Sequence, residues 1–359
     1  MGGKGWGVIQ CIKKVIFVGE KSMMKRMKFC KPQIINDIET DNSFDFLRFF
    51  FAFAVFCAHY DILWGEELVQ FPIYAPQSVD AFFVISGLLI HRSYCRSTSL
   101  RSYFRKRARR ILPAYVLIVL LSALLFSIFS SLSLRDYFTS PELWKYMFAN
   151  LSTMNFLHPS LPGVLSGEAV NPSLWTIKLE LLLYLVVPFV VWLYARSSRV
   201  WSLALVSLMS LSAVLFGMAA DETGAASYDL AWKWVSLASY FMAGGAAYLY
   251  RDELRRYKWY LLLPSLLVLM VSNYFVDFFR PFAMAAIIYF AAFTLPFLNR
   301  FGKIGDLSYG IYIFHAPIIH FTRCLGWEVR WTTFFGTLFI VLLVAFLSWH
   351  LMEKKILAR

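Results

Sequence analysis

Residues 44–60 read FDFLRFFFAFAVFCAHY, a run whose apolar character is interrupted only by Asp45, Arg48 and His59. A helix crosses the hydrocarbon core of a bilayer in about 20 apolar residues, so this run reads as a membrane span that carries three polar passengers. Nine further runs of the same kind follow at 76–91, 111–131, 173–194, 200–219, 231–250, 259–276, 282–298, 307–323 and 332–352. The whole chain agrees with them. Of 359 residues, 59% are apolar and 16% charged, against roughly 25% charged in ordinary soluble domains. The expected fold is an all-α, polytopic bundle of about ten transmembrane helices, filling 44–359 behind a basic tail at 1–43. The longest link, 132–172, contains an apolar stretch at 142–157 that suits the interface or a dip into the bundle rather than a span.

Orientation follows from lysine and arginine, which short cytoplasmic loops retain. With the N-terminus inside, 27 of the 35 basic residues fall in the tail, in 92–110, 196–199, 251–258 and 300–303, and after 352. Arg135, Lys145, Arg280, Arg323 and Arg330 fall outside. Both termini are then cytoplasmic, and the net charge of +13 reflects orientation rather than a nucleic-acid surface. The five cysteines show no metal or redox spacing, and no metal site is expected. Val8–Gly19 is broken by Lys13 and Lys14 and lacks a small-residue cleavage site, so it does not read as a signal peptide.

Charged groups inside spans are costly and mark candidate sites. Arg48 and His59 lie eleven residues apart, about 16 Å along a helix and about 20° around it, on one face. His59 is a candidate base near the outer end; the alternative is a harmless interfacial histidine, with Asp45 and Arg48 as anchors. In VDAFFVISGLLI (79–90), Asp80 enters a span at the level of His59 and would orient an imidazole, or else cap a helix. Ser86-Gly87 in the same stretch reads as close helix packing. The stretch YFRKRARRILPAY (103–115) reads as a cytoplasmic loop rich in cations, including Arg107 and Arg110, suited to a polyphosphate or to anionic headgroups; topology signalling explains it equally well. In NPSLWTIKLELLLY (171–184), Trp175, Lys178 and Glu180 open a span, and Glu180 lies deep enough to need a partner. Two later segments are weaker alone. GDLSYGIYIFHAPIIH (305–320) offers Tyr309, Tyr312 and His315, with a hydrogen-bonded packing histidine as the alternative, and SWHLMEKKI offers His350 and Glu353.

In this order the segments resemble the acyltransferase-3 family of bacterial membrane O-acyltransferases, from about Ser43 to Glu353. Arg48 and His59 match that family's arginine, ten residues and histidine in its first span. Residues 79–90 are similar to its VD-x-FF-x-x-SGFLI block, with Leu88 at the usual phenylalanine. Arg107 and Arg110 match its paired arginines, and Ser173 through Tyr184 its S-L-W-S-x-x-x-E-x-x-x-Y block, with Glu180 at the acidic position and Leu181 where a second acidic residue is common. Gly305, Ser308, Tyr309, Tyr312, His315 and Pro317 match its late G-x-x-SY-x-x-Y-x-x-H-x-P block.

The resemblance implies transfer of an acyl group, most often acetyl from acetyl-CoA, to a hydroxyl of a carbohydrate acceptor at a bacterial inner membrane, with membrane lipids as surroundings. His59, Asp80 and Glu180 would be catalytic, His59 as base or acyl carrier. Arg48, Arg107 and Arg110 would hold the phosphates of the acyl-CoA donor. Asp45, Trp175, Tyr309 and His315 would support them. Succinyl is a second acyl possibility. Buried charges in a ten-span bundle also suit a transporter or flippase of polysaccharide precursors, and a scaffold without catalysis would make His59 dispensable.

Overall fold

The computed structural model describes residues 42–295, 298, 301, 302 and 305–358. The expected tail therefore lies, save for Asn42 and Ser43, outside the described residues, as do Cys11 and Cys30. Among the described residues the chain is helical and has no strand. The helices are α1 (Phe44–Trp64), α2 (Ala75–Arg96), α3 (Leu100–Leu125), α4 (Leu134–Thr139), α5 (Pro141–Leu151), α6 (Trp175–Arg196), α7 (Val200–Thr223), α8 (Ala226–Leu249), α9 (Arg251–Met270), α10 (Tyr274–Asp277), α11 (Arg280–Thr294), α12 (Ser308–Cys324), α13 (Trp331–Ser348) and α14 (Lys354–Ala358). Each expected run overlaps a helix, but 259–276 leaves α9 at Met270 and enters α10, and 282–298 extends beyond the end of α11 at Thr294. Five segments are long and apolar enough to cross a membrane: Phe44–Trp64, Leu100–Phe129, Pro172–Arg196, Val200–Thr223 and Trp331–Ala358, while Arg280–Thr294 is apolar but shorter. Among the described residues the protein is thus all-helical, with five candidate membrane spans.

One expectation is corrected here. The cationic stretch around Arg107 is not a loop: α3 runs unbroken from Leu100, and Pro113 lies inside it rather than opening it. Arginine, lysine and alanine are strong helix formers, and the stretch has no glycine to stop the helix. Proline in an apolar helix costs one backbone donor, which neighbouring helices tolerate. Arg107 and Arg110 therefore stand one turn apart on a rigid rod.

The chain forms two compact units. The first comprises, among described residues, Val84–Arg105 and Leu183–Phe290. In it α2 crosses α8 at backbone contact. A Cβ on Gly87 would lie 1.8 Å from the Phe241 carbonyl oxygen, and one on Gly244 would lie 2.0 Å from that of Val84. Small residues admit such an approach, as the Ser86-Gly87 pair suggested. The His91 ring packs on Gly245 of α8, where a Cβ would lie 2.3 Å from it, and is held by donating from Nδ1 to the Gly87 carbonyl one turn back in α2 at 2.7 Å. Gly244→Ala should therefore destabilise the protein by about 1–3 kcal/mol, because a backbone oxygen cannot swing aside. A melting temperature within a degree of wild type in detergent would refute this close packing.

The second unit comprises Asn42–Phe83, Lys106–Leu182 and Ala291–Arg359. The link after α3 is tied down within it: Tyr115 OH donates to the Asn150 carbonyl at 2.7 Å and Tyr137 OH to that of Ala123 at 2.8 Å. The stretch 142–157 is thus tied to α3 as a short helix and a turn. The core lies where α1, α12 and α13 meet, with Phe334 edge-on to Tyr60 at 5.1 Å. Gly310 lets α12 approach α13, since a Cβ there would lie 2.8 Å from that of Ala345.

Contacts along this unit fix helix directions. Near one end of α1, Arg48 pairs with Asp306, just ahead of α12; near the other, His59 meets His315. The two helices therefore run parallel. α3 runs with them, its Arg110 on Asp306 and its continuation at Phe126 beside Phe321. α13 runs against them, because Gly310 near the start of α12 meets Ala345 near the end of α13.

Candidate active site

The second unit brings together residues from five of the segments singled out in the sequence. At its centre are two stacked imidazoles. His59 Nδ1 lies 2.8 Å from His315 Nε2, with ring centroids 4.9 Å apart. His315 Nδ1 lies 3.0 Å from the Ile311 carbonyl oxygen, one helical turn back. A carbonyl only accepts, so this nitrogen carries the proton, and Nε2 of the neutral ring must accept. His59 then donates from Nδ1. Its own proton is thereby committed, and its Nε2 keeps a bare lone pair with no hydrogen-bond partner among the described residues. That is the state a general base requires.

The dyad is asymmetric in burial. His315 is 0% exposed, whereas His59 is half-buried. His59 is thus the more accessible of the two rings. His315 is held from a third side by the turn Pro172–Leu174 that precedes α6. Asn171 Nδ2 donates to the Ile313 carbonyl at 2.9 Å, its Oδ1 accepts from the Ser173 amide, and Ser173 Oγ lies 3.3 Å from His315 Nε2. One turn on, Thr176 Oγ1 meets Tyr312 OH at 2.7 Å. Below them the Glu180 carboxylate interacts electrostatically with the Tyr309 and Tyr312 hydroxyls, and Tyr309 OH donates to the Ile111 carbonyl at 2.8 Å. Lys178 lies over the Phe156 ring at 3.8 Å, and Trp175 is half-buried at the start of α6. Asp80 is half-buried in α2. The group on His59 Nδ1 is an imidazole, not the carboxylate that the sequence suggested for orienting it.

A second level lies about 16 Å along α1. Arg48 is paired with Asp45, and its Nη1 is 2.9 Å from Asp306 Oδ2. Arg110 Nη2 is 2.5 Å from the same oxygen, while its Nη1 is 3.3 Å from Glu353, which also accepts from Ser348. Arg110 lies over the Tyr309 and Trp349 rings as well. Burial raises the pKa of Asp306, but Arg110 and then Arg48 outweigh it and hold the carboxyl at about 2. Two of the three arginines expected to receive a donor's phosphate, Arg48 and Arg110, thus already hold carboxylates, as buried charges must. Arg107 is half-buried nearby on α3.

A third cluster was not singled out. Arg323 grips Glu168 at 2.8 and 3.3 Å, and its Nη1 reaches Nδ1 of the buried His320 at 3.0 Å. The Arg323 hydrogen bond holds the Glu168 carboxyl below its ordinary range. The only signal in the sequence was an acidic residue in a polar link and a basic one at a helix end. Among the described residues no cluster of histidine, cysteine and carboxylate groups fits a metal ion.

The profile of the family described as "Acyltransferase domain" (Acyl_transf_3) matches residues 41–350. The chain is similar to nodulation protein 10 of Rhizobium leguminosarum bv. viciae, with 28% identity over 87% of this chain and 92% of the relative. It is similar to the O-acetyl transferase of Shigella phage Sf6, with 26% identity over 89% and 96%. It is also similar to the putative peptidoglycan O-acetyltransferase YrhL of Bacillus subtilis, with 25% identity over 87% of this chain but 54% of that relative. No solved structure matches.

Proposed function

This chain belongs to the acyltransferase-3 family and is an O-acyltransferase, and on that premise we propose that it moves an acetyl group from acetyl-CoA to a carbohydrate hydroxyl within a bacterial inner membrane. The observation that carries the reading is the chain of hydrogen bonds from His59 through His315 to Ile311, which leaves His59 Nε2 unprotonated.

In this reaction the acceptor's hydroxyl hydrogen-bonds to His59 Nε2. As its oxygen attacks the thioester carbonyl, the proton passes to that nitrogen. The resulting imidazolium is stabilised because its Nδ1–H already points at His315. Collapse of the tetrahedral intermediate breaks the carbon–sulfur bond, and the proton on His59 passes to the departing thiolate. Charge then balances without a bound metal or a covalent enzyme intermediate. Glu180 and Asp80 act as supporting carboxylates, and Arg48, Arg107 and Arg110 receive the donor's phosphates.

The same proposal includes ten crossings with both termini cytoplasmic. The parallel run of α1, α3 and α12 supports it, because parallel helices need an odd number of crossings between each consecutive pair. Two relatives named as O-acetyltransferases, one of them of peptidoglycan, support acetyl over succinyl and a glycan as acceptor.

The test is acyl transfer by the full chain in nanodiscs, with radiolabelled acetyl-CoA or succinyl-CoA and a panel of glycans. Label appearing on a glycan, dependent on protein and faster from acetyl-CoA, is the expected result. A folded protein that neither binds nor consumes either donor would overturn the reading.

A further inference from the structure

Asp306 sits where an anion belongs. One of its oxygens is shared by Arg48 at 2.9 Å and Arg110 at 2.5 Å, and the other accepts from Ser308 Oγ at 2.6 Å. Two guanidinium groups converging on one oxygen, backed by a hydroxyl, form the arrangement that arginines offer a phosphate. The cluster is closed by Asp45 on Arg48 and by Glu353 on Arg110. Among the described residues three carboxylates thus face these two arginines, and a phosphate arriving there meets their negative charge at close range. Glu353 is fixed by Ser348 at 2.8 Å. Asp306, by contrast, lies in the non-helical link after Gly305 and before α12.

We propose that Asp306 is an internal anion that competes with the phosphate of the acyl donor for Arg48 and Arg110, so that it sets the affinity for a phosphate-bearing acyl carrier. This rests on the reaction proposed above. Removing the charge of Asp306 would not strand either arginine, because Asp45 and Glu353 still neutralise them. The substitution Asp306→Asn keeps the shape of the side chain and its place beside Ser308, yet withdraws the competitor. Tight binding of CoA by wild type then requires displacement of a carboxylate; binding by the variant does not.

The experiment measures CoA, dephospho-CoA and inorganic pyrophosphate binding by calorimetry, with the full chain in nanodiscs of phosphatidylcholine alone and with added anionic lipid. Asp306→Asn should bind CoA about tenfold more tightly than wild type, with KM for acetyl-CoA falling in step. Ser308→Ala, which removes one support of Asp306 and no charge, should give a smaller tightening in the same direction. Tightening of CoA both with and without anionic lipid identifies the donor as the competitor; tightening that anionic lipid abolishes assigns the site to a headgroup and overturns the proposal. A folded Asp306→Asn protein that binds CoA and pyrophosphate no better than wild type also overturns it, and if that variant does not fold, an unchanged Ser308→Ala does so. Pyrophosphate needs no acyl chemistry, so absence of acetyl-CoA turnover in wild type defeats the reaction, whereas unchanged pyrophosphate affinity in the variants defeats the role of Asp306.

Discussion

Replacing His59 with alanine is expected to slow acyl transfer by about 10²–10⁴-fold, the range that a well-placed general base contributes. The argument is tied to one atom. His59 Nδ1 is committed to His315 at 2.8 Å, so only Nε2 is left to take the acceptor's proton. His59→Ala should bind CoA as wild type does, because the arginines lie about 16 Å away along α1. The loss should appear in kcat with little change in donor KM. A variant retaining a tenth or more of wild-type kcat would remove His59 from the chemistry.

The second large effect belongs to His315, which in the proposed reaction touches neither the acceptor nor the donor but fixes the tautomer of His59. His315→Leu should lower kcat by about 10²-fold, since His59 would lose its acceptor and populate the tautomer with Nε2 protonated. His315→Gln offers a carbonyl oxygen near the former Nε2 position and should restore much of the rate. The same substitutions should leave donor KM within a few-fold. A residue that mattered only for packing would behave differently: leucine would be tolerated at least as well as glutamine in a fully buried position. Measuring kcat and melting temperature for both variants decides between orientation and packing.

Much of this was legible in the sequence. The helices followed from runs of apolar residues, because lipid demands about 20 of them in a row, and the polar exceptions within those runs named His59, Glu180 and His315. The eleven-residue spacing of Arg48 and His59 placed them on one face before any contact was known. Partnerships between helices were not legible. Nothing local in the sequence says that His59 meets His315, 256 positions later, rather than Asp80. Asp306 read as part of a motif around Tyr309, because its meaning depends on two arginines, 196 and 258 positions away, that converge only in the folded unit. The cationic stretch before Pro113 misled for another reason. Proline and a dense run of charge both suggest a boundary, yet arginine and lysine favour the helix that continues through them.

The paired contacts at the two ends of α1 have a consequence for how this helix can vary. Between Arg48–Asp306 and His59–His315 the segment acts as a spacer whose length is constrained and whose composition is free. Exchanging one apolar residue for another of similar volume leaves both ends in register with α12. Adding or deleting a single residue would turn one end by about 100° relative to the other, so that the arginine or the histidine, but not both, could keep its partner.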